Sequence, residues 1–139
     1  MKGINMKKIE KFEDIIAWQR ARELTRAVYG CSKAGQFARD FGLKDQIQRA
    51  AVSTMSNIAE GFERGGDKEF IQFLSTSKGS CGEVQSDLYV ALDQQYITQV
   101  QFDQLYTCAG ETGRLLGGFM KYLQQSNLGG PKYIRPAGR

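Results

Sequence analysis

A chain of 139 residues with 19 Lys plus Arg against 15 Asp plus Glu, net charge +4, is long enough for one domain with its own core. It contains no histidine, which excludes Ser-His and Cys-His nucleophile pairs and the Glu-x-x-His metal sites that helical bundles can host. No stretch is long and apolar enough to cross a bilayer, so no membrane partner is expected, and the opening MKGINMKKIEK is basic without an apolar signal core, which points to the cytoplasm.

Residues 1–11 form a basic arm, with Lys2, Lys7, Lys8 and Lys11 set against Glu10. The pattern then predicts a first helix over 12–33. Ala17, Ala21, Leu24, Val28 and Cys31 recur at alternating steps of four and three, the spacing of a bundle seam. Trp18 and Tyr29 flank this stripe and are expected to complete the core, the alternative being an aromatic surface for a partner. Arg20, Arg22 and Arg26 fall within two turns and, together with Arg49 and Arg64 further along, are candidate phosphate contacts, with Asp14 and Glu23 close to the first three in sequence. Gly35 is placed to stop the helix.

A connection over 35–42 ends with Asp40 as a candidate N-cap for a second helix over 43–64. This helix has two usable faces. Ile47, Ala51, Thr54, Ile58 and Phe62, widened by Ala50 and Met55, make an apolar stripe; Gln46, Arg49, Ser53, Ser56, Asn57, Glu60 and Arg64 make a short-chained polar one. Arg49 and Glu60 lie about 16 Å apart at 1.5 Å per residue, too far to pair. Each therefore requires a partner from another helix or subunit, which places Arg49, Ser53, Ser56, Asn57 and Glu60 on an expected subunit interface.

Gly65 and Gly66 end the second helix, and Asp67 is expected to cap a third over 68–94. So short a turn makes the two helices antiparallel neighbours. Phe70, Leu74, Ser77, Cys81, Val84, Leu88 and Ala91 keep the seam spacing. Ser75, Gly79, Gly82 and Ser86 form a parallel strip of small residues. Glycine in a helix interior costs roughly 1 kcal/mol relative to alanine, so the strip is expected to serve close approach by another helix. Thr98 is a candidate cap for a fourth helix over 99–126, with Phe102, Leu105, Ala109, Thr112, Leu116, Phe119 and Leu123 on its seam and Gly110, Gly113 and Gly117 beside it. The tail, residues 127–139, is without periodicity and carries Lys132, Arg135 and Arg139, the first two candidate nucleic-acid contacts. Cys31, Cys81 and Cys108 lack metal-ligand spacing and read as free core thiols.

Four seams joined by short connections predict an all-α, up-down-up-down antiparallel four-helix bundle over 12–126. Glu60, Glu63 and Arg64 form the compact acid-base group near a helix end, and the simplest reading is capping and ion pairing. No catalytic residue, cofactor or metal is assigned, and a non-enzymatic protein is expected.

The residues also resemble a known family, the bacterial four-helix-bundle proteins encoded by intervening sequences of 23S ribosomal RNA genes. The likeness covers about residues 12–123. It starts with Phe12, Asp14, Trp18, Gln19, Ala21, Leu24 and Tyr29, and is most specific in Gln46-Ile47, Arg49 to Ser53, Asn57 to Gly61 and Arg64. It resumes with Phe70, Phe73-Leu74, Gly79-Ser80, Glu83 and Leu88. The resemblance implies a protomer that assembles into a homopentameric ring, associated with ribosomal RNA or another nucleic acid. A more distant relative, the accessory protein of diversity-generating retroelements, works with a reverse transcriptase, so a protein partner is the alternative. This chain has Gln48-Arg49 where the family often has two adjacent basic residues.

Overall fold

A computed structural model describes residues 9–129. Four helices, α1 (Ile16–Ser32), α2 (Phe41–Arg64), α3 (Asp67–Asp93) and α4 (Gln99–Gly129), are joined by short turns, with 3-10 turns at Phe12–Asp14 and Phe37–Arg39. Each helix packs on the next, and α4 returns against α1, closing an antiparallel bundle with no strand among the described residues. No described helix is long and apolar enough to cross a membrane.

The ends of the helices follow local chemistry. Asp40 caps α2 by accepting from the Leu43 N–H at 3.1 Å. The helix begins at Phe41, two residues earlier than expected. Gly65, at φ +89°, closes it in the left-handed conformation. Gly66, not Asp67, holds the cap position of α3; Asp67 is its first residue, where an acid favours the helix dipole. Thr98 caps α4 reciprocally: its hydroxyl accepts from the Gln101 N–H at 3.1 Å, and the Gln101 carboxamide accepts from the Thr98 N–H at 2.8 Å. The expected first helix over 12–33 is interrupted. The Asp14 carboxylate accepts from the N–H groups of Glu10 and Lys11 at 3.0 and 3.1 Å, holding a 3-10 turn, and Ile15 is extended before α1 begins. Ile9, placed in the basic arm by sequence, is buried against the core.

Every expected seam residue of α3 and α4 is buried, as are Ile47, Ala51, Thr54, Ile58 and Phe62 of α2. On α1 the stripe holds through Val28, but Ser32 rather than Cys31 takes the last buried place. Ser32 is satisfied there by the Gln48 carboxamide, which donates to its hydroxyl at 2.8 Å. Trp18 is half-buried and Tyr29 is exposed, so the expectation that both complete the core fails at Tyr29, which lies on the rim of α1.

The apolar core divides into two clusters. One joins Leu24, Val28, Ile47, Val84, Leu88 and Leu105; the other joins Ile58, Phe62, Phe70, Leu74, Leu116 and Phe119. Between them lie buried hydroxyls. Thr54 donates to Ala51 O at 2.6 Å, Ser77 to Thr54 O at 2.7 Å, and Thr112 to Cys108 O at 2.8 Å. Half-buried Thr25 lies within reach of both Ala21 O and Ala51 O. Each hydroxyl has a carbonyl, so the layer avoids the cost of an unpaired buried polar group.

The tightest helix approach is at Gly61. A Cβ built there falls 2.7 Å from Phe73 Cβ and 2.8 Å from Phe70 Cδ1, so only glycine lets α2 and α3 meet. Gly110, Gly113 and Gly117 of α4 face α3 more loosely, toward Gln85, Cys81 and Lys78. Gly79 and Gly82 face open space in the single chain. Gly61→Ala is therefore expected to destabilise the fold by about 1–3 kcal/mol through overpacking. Gly79→Ala, by contrast, is expected to leave the protomer's own stability unchanged or raise it by up to about 1 kcal/mol. Urea unfolding of the two variants side by side checks this.

Candidate functional site

The short polar face of α2 divides when placed in the fold. Part of it is used inside the protomer, against α3. The hydroxyls of Ser53 and Ser80 share a hydrogen bond at 2.9 Å, and the Gln46 carboxamide donates to Asp87 Oδ1 at 2.8 Å. Asn57 sits one turn beyond Ser53 and donates to its backbone carbonyl and hydroxyl, both at 2.9 Å. The small side chains of this face are thus explained first by α2–α3 packing.

The remainder faces outward. Ser56 is exposed and donates to Val52 O, while Val52 itself is 41% exposed. Arg49 and Glu60 do not need partners from elsewhere, which corrects the argument from their separation. Arg49 donates to Asp45 at 2.8 Å and Arg64 to Glu60 at 2.9 Å, each four residues away on the same helix. Arg64 also lies 3.5 Å from Glu69 of α3 and over the Phe73 ring. Exposed pairs of this kind contribute little to stability and leave both side chains free to exchange partners. Glu60 is exposed and ion-paired. The carboxylate in an enclosed pocket that acid-base catalysis by it would require is not found there.

The helix 1 arginines have different environments. Arg20 donates to Glu23 at 2.8 Å and to Glu111 of α4, tying α1 to α4 across a shallow groove also lined by Cys108, Arg114 and Leu115. Arg22 is exposed, its guanidinium 6.0 Å above the Trp18 ring, and Arg26 is exposed. Gly79 and Gly82 lie on the exposed side of α3 with Ser75 and Ser86. Lys132 and Arg135 lie outside the described residues. The site residues expected from sequence do not converge on one pocket: they spread over the outer flank of α2 and α3 and the exposed side of α1. Gln48, which replaces an expected cation, is half-buried on Ser32 and serves packing.

Two features escape sequence reading. Asp87 is 5% exposed, and its Oδ2 has no hydrogen-bond partner. Burial, then the neighbouring charge of Glu83, pushes its carboxyl above the ordinary aspartate value, against the opposing bond from Gln46. The second is the thiol environment. Burial pushes Cys81 up to about 12, and Cys31 and Cys108 are raised for the same reason, so all three are protonated and poorly nucleophilic near neutrality. Among the described residues no cluster of His, Cys, Asp or Glu could hold a metal ion.

The described residues form an antiparallel four-helix bundle whose expected site residues lie mainly on its outer flank. Residues 13–118 match the family described as 23S rRNA-intervening sequence protein, and the chain belongs to that family. Its fold is similar to the crystal structure of a protein of unknown function from the S23 ribosomal protein family of Bacteroides thetaiotaomicron, with a TM-score of 0.70 at 22% identity, covering 76% of this chain and 98% of that one. No curated protein matches.

The raised Asp87 carboxyl has a defined pH signature. The folded state holds this proton more tightly than the unfolded chain, so Asp87 favours folding most at low pH. That contribution is lost as pH rises from the ordinary aspartate value of 3.8 through the higher native value. Wild type is therefore expected to lose stability relative to Asp87→Asn as pH rises through that window, and to run parallel to it above. Chemical denaturation of both proteins from acid to neutral pH measures the difference.

Proposed function

We propose that this chain is a non-enzymatic, homo-oligomeric bundle protein, assembled as a ring of five, that associates with structured RNA in the cytoplasm. The observation that carries the assembly reading is the outer strip of α3. Ser75, Gly79, Gly82 and Ser86 are all exposed, and a side chain added at either glycine would meet nothing within 4 Å. Two glycines in the middle of a long helix each cost about 1 kcal/mol, and nothing inside the protomer offsets that. Close approach by a second copy does. Arg49, Ser56 and Glu60 flank the strip's neighbour helix and supply exchangeable polar contacts; Ser53 and Asn57 lie deeper and position the helix.

The nucleic-acid reading rests on the family, whose description places these proteins with intervening sequences of 23S rRNA, and on exposed cations at Arg22, Arg26, Arg49 and Arg64. Contacts from such side chains to phosphate give affinity with little sequence discrimination and a steep loss with salt. The alternative, a scaffold for a protein partner, shares the α3 strip but predicts a complex insensitive to salt and nuclease.

Light scattering after gel filtration, with and without nuclease and high salt, is the test. A fivefold multiple of the 15.6 kDa chain is expected, with nucleic acid released by salt. A stable monomer overturns the assembly; a pentamer that never carries nucleic acid favours the scaffold. Glu60→Lys exchanges an exposed ion pair for an exposed like-charge pair with Arg64, a small change to the fold, yet is expected to dissociate the assembly. An unchanged mass excludes Glu60 from the interface.

A further inference from the structure

The corner between α1 and α2 carries a feature that neither the fold nor the flank uses. Phe41, the first residue of α2, is 72% exposed, the highest value among the described large apolar side chains. An exposed phenylalanine alone is unremarked on protein surfaces, but this one sits among cations. Lys33, Arg39 and Lys44 occupy the same twelve-residue corner. Lys33 and Arg39 are exposed, and Lys44 Nζ lies 5.3 Å from the centre of the Phe41 ring. Asp40, the one acid of the corner, is engaged on both oxygens, by the Leu43 N–H at 3.1 Å and by the Tyr96 hydroxyl at 2.9 Å.

The corner is also firmly held. Phe37 is fully buried and stacks on Tyr96 at 5.4 Å, and Tyr96 in turn holds Asp40. Gly42, next to Phe41, adds no side chain that would screen the ring. The result is an exposed aromatic side chain, on a firmly held corner, bordered by three cations against one carboxylate. A flat ring for a base and ammonium or guanidinium groups for the adjoining phosphates is the arrangement by which proteins hold single-stranded nucleic acid. A protein partner that covered Phe41 would also have to cover three cations with little acid nearby, so charge complementarity favours a polyanion.

We propose that Phe41 is a base-stacking residue for single-stranded RNA, with Arg39, Lys44 and Lys33 contacting the flanking phosphates. This deepens the RNA reading above and rests on it, while locating the contact on an end of the bundle, apart from the α2–α3 flank.

The test uses the full-length protein and a fluorescein-labelled oligouridylate of about twenty nucleotides, longer than a single aromatic groove requires. Anisotropy titrations over a range of salt are expected to give about tenfold weaker binding for Phe41→Ala with an unchanged salt slope, since stacking is not ionic. Arg39→Gln and Lys44→Gln are each expected to lower the log–log slope by about 0.7. Phe41→Trp is expected to retain binding and to show tryptophan emission quenched by the oligomer beyond any change from Trp18 in the wild type. Circular dichroism and mass confirm that the variants remain folded and assembled. Wild-type binding that is unaffected by all three weakening variants overturns this site and leaves the RNA reading standing. No binding of the oligouridylate by the wild type at low salt overturns this site, while the RNA reading stands or falls on nucleic acid in the light-scattering test. A Phe41→Ala variant that changes the mass of the assembly while binding RNA normally makes the corner a protein contact and overturns the proposal.

Discussion

The structure depends on the register between α2 and α3. Their contacts form an antiparallel ladder, Gln46 with Asp87, Ser53 with Ser80, Thr54 with Ser77, and Gly61 against Phe70 and Phe73. Each step along α2 is matched by a near-equal step back along α3. Apolar seams alone tolerate sliding by a turn, because one leucine fits much like another. Buried hydroxyls and a glycine under two phenylalanines do not, since a slip would leave donors unpaired and drive a Cβ into a ring. The short Gly65-Gly66 turn and this ladder fix the hairpin on which α1 and α4 pack.

That ladder changes how the polar stripe of α2 reads. Its small residues suggested a second packing surface, and there is one, but α3 of the same chain occupies much of it. What remains outward is a narrower band, Arg49, Val52, Ser56 and Glu60, continuous with the open side of α3. The charged members of the band are held by pairs within their own helix, which keep them ordered without committing them.

The seams were legible in the sequence because burial follows a period that residue type reports directly: Phe70 to Ala91 and Phe102 to Leu123 are buried at every expected position. Caps at Asp40 and Thr98 were legible for the same local reason. The two glycine strips could not be told apart, since spacing says that a helix face is smooth and not what lies opposite. The α4 strip faces α3 and the α3 strip faces outward. Gly61 was visible only as part of a motif, because its necessity arises from Phe70 and Phe73 on another helix. Asp87 was hidden for a like reason: it sits one residue from a seam position, and only the crossing of α2 buries it. Arg49 and Glu60 are too far apart to pair with each other, but Asp45 and Arg64, each one turn away, take that role.

The placement of charge carries the last step. Of the helix 1 arginines, Arg20 is committed to Glu23 and Glu111 and stabilises the α1–α4 seam, so it is a poor candidate for phosphate. Other cations are spread along the bundle, Arg22 and Arg26 on α1 and Lys68 and Lys78 on α3, with Lys33, Arg39 and Lys44 at the corner where α1 stops and α2 starts. Phe41 and Glu60 are nineteen residues apart on one helix, roughly 28 Å at 1.5 Å per residue. The Glu60 end of the proposed assembly face is therefore distant from the Phe41 corner, while its Ser86 end, beside the Gln46–Asp87 contact, lies nearer to it. In the proposed assembly each added copy would bring another cationic corner. Weak phosphate contacts repeated on a rigid scaffold gain strength through effective concentration without any new interaction. In the assembly proposed above, that multiplication is how weak contacts on separate copies would reinforce one another.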